Sequence, residues 1–298
     1  MKILIKVPAT SANLGPGFDA LGLALDLWNE TTVTLAIEFS MRIKGEGADV
    51  LSTDKNNLII RAAQKLAEYA GCSLPPFHAD CTNAIPLSSG LGSSAAATLT
   101  GLLAGNALTG NPLLKEEILS LACEMEGHPD NVAPALMGGL VVSTMDNDKV
   151  IARQIPVETA MSITIALPDF HLPTKEARAA LPAQVSMKDA VHNISRAVLV
   201  TEAFRNGDMD LLGKSMTDTL HQPYRLPLIP GAQSAMDAAK EAGAAAVALS
   251  GAGPSLIAFA SKAEAGIGES MKRAFEAAGL QARIFNLGVS SRGAEIQI

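Results

Sequence analysis

Residues 86–108 constrain this chain more than any other stretch. Pro86-Leu87-Ser88-Ser89-Gly90-Leu91-Gly92-Ser93-Ser94 runs straight into Ala95–Leu108, which is almost wholly small and apolar. Gly90 and Gly92 let a backbone approach a ligand closely and take conformations closed to other residues. The run after them predicts a buried helix opened by serines at its cap. The first amides of a helix have no partner inside it, and the helix dipole favours an anion there. Each charge-assisted hydrogen bond contributes about 1.5–3 kcal/mol, so three or four amides suffice for a triphosphate. A serine hydroxyl at the helix start also reaches a magnesium ion. A Walker loop is excluded, because it needs a Gly-Lys-Ser/Thr ending and no lysine stands here. A purely structural glycine turn is the competing reading, and the full string favours phosphate over it.

The remaining composition narrows the class. The chain has 298 residues, 48% hydrophobic and 18% charged, enough for a substantial core in one large or two ordinary domains. Only 4% is aromatic, and the abundance of Ala, Leu, Ile and Val suits helices packed on sheets. A net charge of −7 argues against a nucleic-acid-binding surface. Cys72, Cys81 and Cys123 form no CxxC pair, which predicts three reduced thiols in a cytoplasmic protein. The stretch from Met1 to Val7 reads as a strand rather than a signal peptide, and no apolar run is long enough for a membrane span.

Periodicity predicts strands over Lys2–Val7, ending in a turn at Pro8, and over Thr31–Ile37, Phe77–Ala84, Leu140–Ser143 and Ser162–Leu167. Asn13–Asp19 is a glycine-proline loop. Helices are expected over Leu58–Tyr69 and from Pro112, with Ile118, Leu121, Ala122 and Met125 as the stripe and Gly127–Asn131 as the stop. Asp146–Val157 is polar and ends at a proline, which places a domain boundary near residue 155, giving 1–155 and 156–298. Beyond it come helices over 187–206, 231–242 and 263–278, and strands Ala244–Leu249, Leu256–Ala260, 281–287 and 293–298. That tail predicts a small antiparallel sheet covered by helices.

Pro-x-x-x-Gly-Leu-Gly-Ser-Ser-Ala-Ala, from Pro86 to Ala96, resembles the phosphate loop of the GHMP kinases. Two further motifs stand in the family's order, Pro8–Asp19 near the start and Ser250-Gly251-Ala252-Gly253-Pro254-Ser255 near the end, so the resemblance spans nearly the whole chain. It implies an α+β, two-domain architecture with a ribosomal-protein-S5-like N-terminal domain and a ferredoxin-like C-terminal domain. The opening string, Glu126–Ala135 and Thr174-Lys175-Glu176-Ala177-Arg178 are similar to the branch of the family that acts on L-homoserine. The resemblance therefore implies ATP-dependent, magnesium-assisted phosphorylation of L-homoserine, on the way to threonine, by a homodimer.

An amino-acid alcohol has to be held by its carboxylate and ammonium while its hydroxyl faces the γ-phosphate. The planar fork of arginine suits the carboxylate. Arg178 follows a proline-bounded loop and Arg225 lies between Pro223 and Pro227; by resemblance both contact the carboxylate. Asp19, helped by Asn13, is expected at the ammonium, and the alternative is a carboxylate capping a turn. Thr174 lines the same pocket, and His128 either touches substrate or is an ordinary loop histidine. Phosphoryl transfer needs mostly positioning and charge stabilisation, so Asn131 is assigned to orient the hydroxyl and Asp130 is kept as a pocket residue. Ser94 is the first metal ligand, and the second is a carboxylate, Glu124 or Glu126. These stand about 200° apart on a helix, and the family's register favours Glu124. Asn57 falls where the family contacts base and ribose, and also where a helix cap would fall. Ser250–Ser255 either brings amides to the substrate or makes a tight strand connection. A GHMP kinase for a sugar or a mevalonate-like acid, and a non-catalytic ATP sensor, are the competing functions. A sugar does not require two carboxylate-binding arginines, and the loop and metal ligands that a sensor would lose are present.

Overall fold

The computed structural model of the chain describes residues 1–147, 149–157, 161–262 and 265–298. The first half opens with two long antiparallel strands, β1 (Lys2–Ala12) and β2 (Leu21–Leu35). β1 does not stop at Pro8, where the sequence predicts a turn. Its ladder shifts register between Pro8 and Ala9 and continues to Ala12, because an irregularity there accommodates the residue without an N–H. β3 (Ser40–Gly45), α1 (Leu58–Tyr69) and β4 (Phe77–Asn83) follow, with β3 parallel to β4 and β4 paired with β2. Next come α2 (Ser93–Leu108), α3 (Lys115–Glu126) and α4 (Pro129–Met137). The strand expected over Leu140–Ser143 is β5 (Leu140–Asp146), and the following stretch, read only as polar, carries β6 (Lys149–Ile155), which pairs with it as a hairpin. Its polarity comes from alternate β6 residues facing solvent.

The second half contains β7 (Ser162–Pro168), α5 (Thr174–Ala179), α6 (Met187–Asn206), α7 (Met209–Ser215), α8 (Gln222–Arg225) and α9 (Ala232–Glu241). It continues with β8 (Ala246–Leu249), β9 (Leu256–Ala260), α10 (Ala265–Ala277) and β10 (Ala282–Leu287). The first two residues of the helix expected over 263–278 lie outside the described residues. β10, β7, β9 and β8 form a four-stranded antiparallel sheet in that order. α9 and α10 cover one face of it, through Ala235, Ala239, Met271 and Phe275.

The last strand departs from expectation. β11 (Glu295–Gln297) leaves the second sheet and pairs antiparallel with β1 in the first. The backbone of residues 289–294 returns along the first half: Gly139 N donates to Ser290 O at 2.7 Å and Ala294 N to Ala135 O at 2.8 Å. A Cβ at Gly293 would run into the Leu136 carbonyl, so this close return requires glycine. Among the described residues no helix is long and apolar enough to cross a membrane. The three cysteines are free thiols, and burial pushes that of Cys123 up to about 12.

α2 is the central helix of the first half. It is apolar all round, as a helix enclosed on every side has to be. Gly101 and Gly105 let it lie against the backbone of α1 at Ile59 and Ala63. Gly101→Ala sets two effects against each other. Helix propensity favours alanine by about 1 kcal/mol, whereas overpacking costs about 1–3 kcal/mol. The obstacle at Gly101 is the Ile59 carbonyl, which no rotamer change removes. We expect a net loss of about 1–2 kcal/mol in urea unfolding; a gain would show that α1 and α2 separate freely.

Candidate active site

The loop between β4 and α2 takes positive φ at Ser88 (50°), Gly90 (78°) and Gly92 (72°). Gly92, not a serine, is the cap of α2, and it offers no side-chain acceptor to the helix amides. Ser93 is already the first helical residue. The difference matters chemically, because a serine cap would occupy an amide of the first turn. Ala96 N bonds Gly92 O at 2.9 Å, and the amides of Ser93, Ser94 and Ala95 come before it. Ile85, Pro86 and Leu91 are buried and anchor the loop, and Ser89 Oγ donates to Pro86 O at 2.8 Å. Ala96 points into the core, while Gly90, Gly92, Ser93, Ser94 and Ala95 line a cleft of about 420 Å³.

The Ser250–Ser255 turn holds this loop from the other half. Ser250 Oγ donates to Gly90 O at 2.7 Å, and Ser255 N donates to Ser89 O at 3.3 Å. Gly251 N is bound to Ala12 O at 3.1 Å. The turn thus makes the strand connection and also directs two of its amides at the chain, although Gly251, Ala252 and Gly253 still line the cleft. A Cβ on Gly90 would collide with Ser250 O, and one on Gly92 with Thr10 Oγ1.

A second cleft, of about 350 Å³, adjoins the first at Ser88, Ser93 and Ser94. Leu87, Met41 and Asn57 line it. Asn57 has both of its expected positions: Oδ1 accepts from Ile59 N at 2.9 Å as the cap of α1, and Nδ2 donates to Ser52 O at 2.6 Å at the cleft wall.

All eight residues expected at the acceptor line the first cleft: Asn13, Asp19, His128, Asp130, Asn131, Thr174, Arg178 and Arg225. They come from the β1–β2 loop, α4 and its cap, α5 and α8. Asn13 has φ 69° and Asp19 has φ 55°, a region that Asn and Asp tolerate. Asn13 Oδ1 accepts from Asp19 N at 3.0 Å, and Nδ2 donates to Gly251 O at 2.8 Å. Asp19 and Arg178, assigned to opposite ends of an acceptor, bind each other in a two-pronged pair at 2.8 and 3.0 Å. That pair raises the Arg178 guanidinium further above its ordinary value.

Arg225 is only 2% exposed. Its Nε donates to Ala177 O at 3.2 Å and a terminal nitrogen to Gly251 O at 3.3 Å. Among the described residues no carboxylate is within ion-pair distance of it. Burial, with Arg178 nearby, holds it below the usual arginine range. A buried guanidinium with only carbonyl partners favours an incoming anion. Phe18 was missed by sequence reading. Its ring lies under both guanidiniums, 5.4 Å from Arg178 and 5.1 Å from Arg225, and stacks on buried His221. An aromatic residue beside Asp19 in a glycine loop was the available signal.

Asn131 is fixed at both ends of its amide: Thr10 Oγ1 donates to its Oδ1 at 2.8 Å, and its Nδ2 donates to Asp130 Oδ1 at 3.3 Å. Burial disfavours a charged imidazole on His128. The carboxylate expected beside Ser94 changes identity. Glu124 points away and pairs with Lys65 at 3.0 Å. Glu126 Oε1 instead accepts from Ser94 Oγ at 2.9 Å and from Thr98 Oγ1 at 2.7 Å. The half-turn between the two positions brings Glu126, the last residue of α3, over the start of α2. A hydroxyl and a carboxylate in contact are hard oxygen donors suited to magnesium, which takes its other ligands from phosphate and water. Among the described residues no group of three or more His, Cys, Asp or Glu side chains is placed to hold a metal ion.

Burial raises the Asp130 carboxyl to about 7, with the Asp19 charge adding to it. Its stabilising contribution is therefore complete below the ordinary value of 3.8 and is lost as pH rises through about 7. Asp130→Asn lacks that loss. We expect the melting temperature of the variant relative to wild type, both without ligand, to be higher at pH 8 than at pH 5. The opposite slope would mean that Asp130 is an ordinary ionised carboxylate.

Residues 57–139 match the family described as the GHMP kinases N terminal domain, and residues 200–277 match GHMP kinases C terminal. A homoserine kinase of Moorella thermoacetica is 44% identical over 98% of this chain and 99% of its own length. One from Carboxydothermus hydrogenoformans is 45% identical over 98% of the chain and 96% of its own. The crystal structure of homoserine kinase from Cytophaga hutchinsonii superposes with a TM-score of 0.87 at 33% identity, covering 99% of this chain and 97% of that one. L. major mevalonate kinase, at 17% identity and a TM-score of 0.71, shares the fold. With both family domains in order and extensive identity along its whole length, the chain belongs to the homoserine kinases of the GHMP kinase family.

Proposed function

We propose that this chain transfers the γ-phosphoryl group of ATP to the hydroxyl of L-homoserine, giving ADP and O-phospho-L-homoserine for threonine synthesis. One observation carries this reading: a buried, carboxylate-free arginine and an Arg–Asp pair share a cleft with the open amides of α2. A sugar has no charges to satisfy such an arrangement. An amino acid has both, and it enters by exchanging partners with Asp19 and Arg178. Its carboxylate goes to Arg178 and Arg225 and its ammonium to Asp19 and the Asn13 side, while Thr174 and His128 enclose it.

The triphosphate then lies along residues 90–95, with the base in the cleft that Asn57 borders. Ser94 and Glu126 would hold a magnesium ion, which would neutralise phosphate charge when bound. The substrate hydroxyl attacks the γ-phosphorus as the bond to the β-phosphate oxygen breaks, and its proton passes to solvent or to the transferred phosphate. Asn131, held by Thr10 and Asp130, orients that hydroxyl. The helix amides and Arg225 balance the developing charge in a loose transition state. We take the enzyme to act in the cytoplasm, with 1–155 supplying most of the nucleotide site and 156–298 the two arginines, and as a homodimer.

An ADP-release assay over a panel of small alcohols tests the reaction. Turnover is expected with L-homoserine and not with alcohols lacking either charge, and Arg225→Lys should lower kcat/KM by about 100-fold, because a point charge does not reproduce a planar fork. No alcohol-dependent ADP would defeat the reading. Metal dependence separates the carboxylates: Glu126→Gln should raise the magnesium needed for half-maximal rate by at least about tenfold, and Glu124→Gln should match wild type. The reverse pattern would return the role to Glu124.

A further inference from the structure

His221 is fully buried and does not line the acceptor cleft, and its Nδ1 has no hydrogen-bond partner. A core histidine that only fills space needs no further account, but this one joins the segments that carry the acceptor residues. Its Nε2 donates to Gly15 O at 2.8 Å and lies 3.5 Å from Asp218 Oδ2. Two oxygen acceptors facing one nitrogen keep the hydrogen there. Burial holds the imidazole below its ordinary value, which favours the neutral ring. Asp218 needs no charge on that ring. Its carboxylate already accepts from Leu220 N, His221 N and Gln222 N at 2.9, 2.9 and 2.6 Å, and from Asn193 Nδ2 at 2.6 Å.

The two sides of the His221–Gly15 contact belong to opposite ends of the acceptor. The His221 carbonyl caps the start of α8 and accepts from Arg225 N at 3.0 Å, so the imidazole stands on the helix of the buried arginine. Gly15 lies in the β1–β2 loop with Asn13, Phe18 and Asp19. The Phe18 ring stacks on the imidazole, with centroids 5.2 Å apart and 23° between the planes. The Arg178 and Arg225 guanidiniums lie over that same phenyl ring. A second joint fixes the same spacing: Gly251 O accepts from Asn13 Nδ2 at 2.8 Å and from an Arg225 terminal nitrogen at 3.3 Å. An α-amino acid bears its carboxylate and ammonium on one carbon. The groups that hold them have to stand at one short separation, and a misplacement of about 1 Å is felt strongly.

We propose that His221 is a positioning residue of the acceptor site: through its bond to Gly15 and its stack on Phe18 it sets Arg225 against the loop of Asn13 and Asp19 at the span of an α-amino-acid head group. The role rests on the amino-acid reading of the cleft, and it makes His221 a determinant of selectivity without contact to the ligand.

Steady-state kinetics of the full chain, with His221→Leu and His221→Gln beside wild type, test it. Leucine keeps bulk and loses the donor, whereas the glutamine amide keeps an N–H for Gly15 O. His221→Leu should raise the KM for L-homoserine at least about 20-fold and leave the KM for ATP within about threefold. His221→Gln should stay within about fivefold of wild type in both. Two inhibitors of equal charge read the span itself, L-2-aminobutyrate and 3-aminobutyrate. Wild type should prefer the first, and His221→Leu should shrink that preference at least about fivefold. Circular dichroism checks folding; should His221→Leu not fold, His221→Asn, too short to reach Gly15, takes its place. An L-homoserine KM unmoved by the loss of the donor, a glutamine that fails to restore it, or a parallel weakening of both inhibitors would each overturn the role of His221 alone. A wild type that does not use L-homoserine would overturn the kinase reading and this role together.

Discussion

The free amides at the start of α2 are the constraint around which the rest of this molecule is arranged. A helix end without acceptors is unfavourable unless water or a ligand meets it, and a glycine cap makes the end available. Keeping it open demands a rigid frame. The loop runs through three positive-φ residues with no slack, Thr10 blocks one side and the Ser250 turn the other. The second half of the chain therefore shapes the proposed nucleotide site although it contributes few of its walls. Small residues in α2 serve the same end, since a central helix pressed against α1 cannot drift from the position that its first turn has to keep.

The acceptor side is built on the opposite electrostatic principle. Rather than one sign of charge, it collects two aspartates and two arginines in one cleft, with both arginines over the Phe18 ring. Arg178 and Asp19 neutralise each other, Asp130 is largely driven towards its neutral form, and Arg225 is left without a carboxylate. A zwitterion can enter such a cleft without adding net charge to a desolvated space, whereas a ligand with a single charge leaves one protein group unpaired. Selectivity for an amino-acid head group follows from this balance more than from cleft volume.

Much of this was legible in the sequence, for identifiable reasons. Motifs with glycine or proline at forced positions, such as Gly90-Leu91-Gly92 and Asn13–Asp19, reveal themselves because few other residues fit, and Gly90, Gly92, Asn13 and Asp19 meet at the cleft. Long periodic elements such as α1 and α6 were equally clear. β3, β6 and α4 were not: the strands are short and half exposed, and α4 has proline at its start and inside it. The choice between Glu124 and Glu126 turned on whether α3 reaches Glu126 in helical phase, which depends on the packing of α3 against α2 rather than on local sequence. Pairing of Asp19 with Arg178 was hidden because 159 positions separate them.

The return of β11 to β1 has a kinetic side. Leu4 pairs with Gln297, so one rung of the first sheet joins nearly opposite ends of the chain. Such a contact carries a large loop-closure entropy and forms late unless the intervening chain is already ordered. Until it forms, β1 presents an open edge, a template for pairing with other chains. The two sheets therefore do not correspond to two independent folding units. Cutting the polypeptide between them would expose that edge of β1 permanently, and neither half alone contains the complete first sheet.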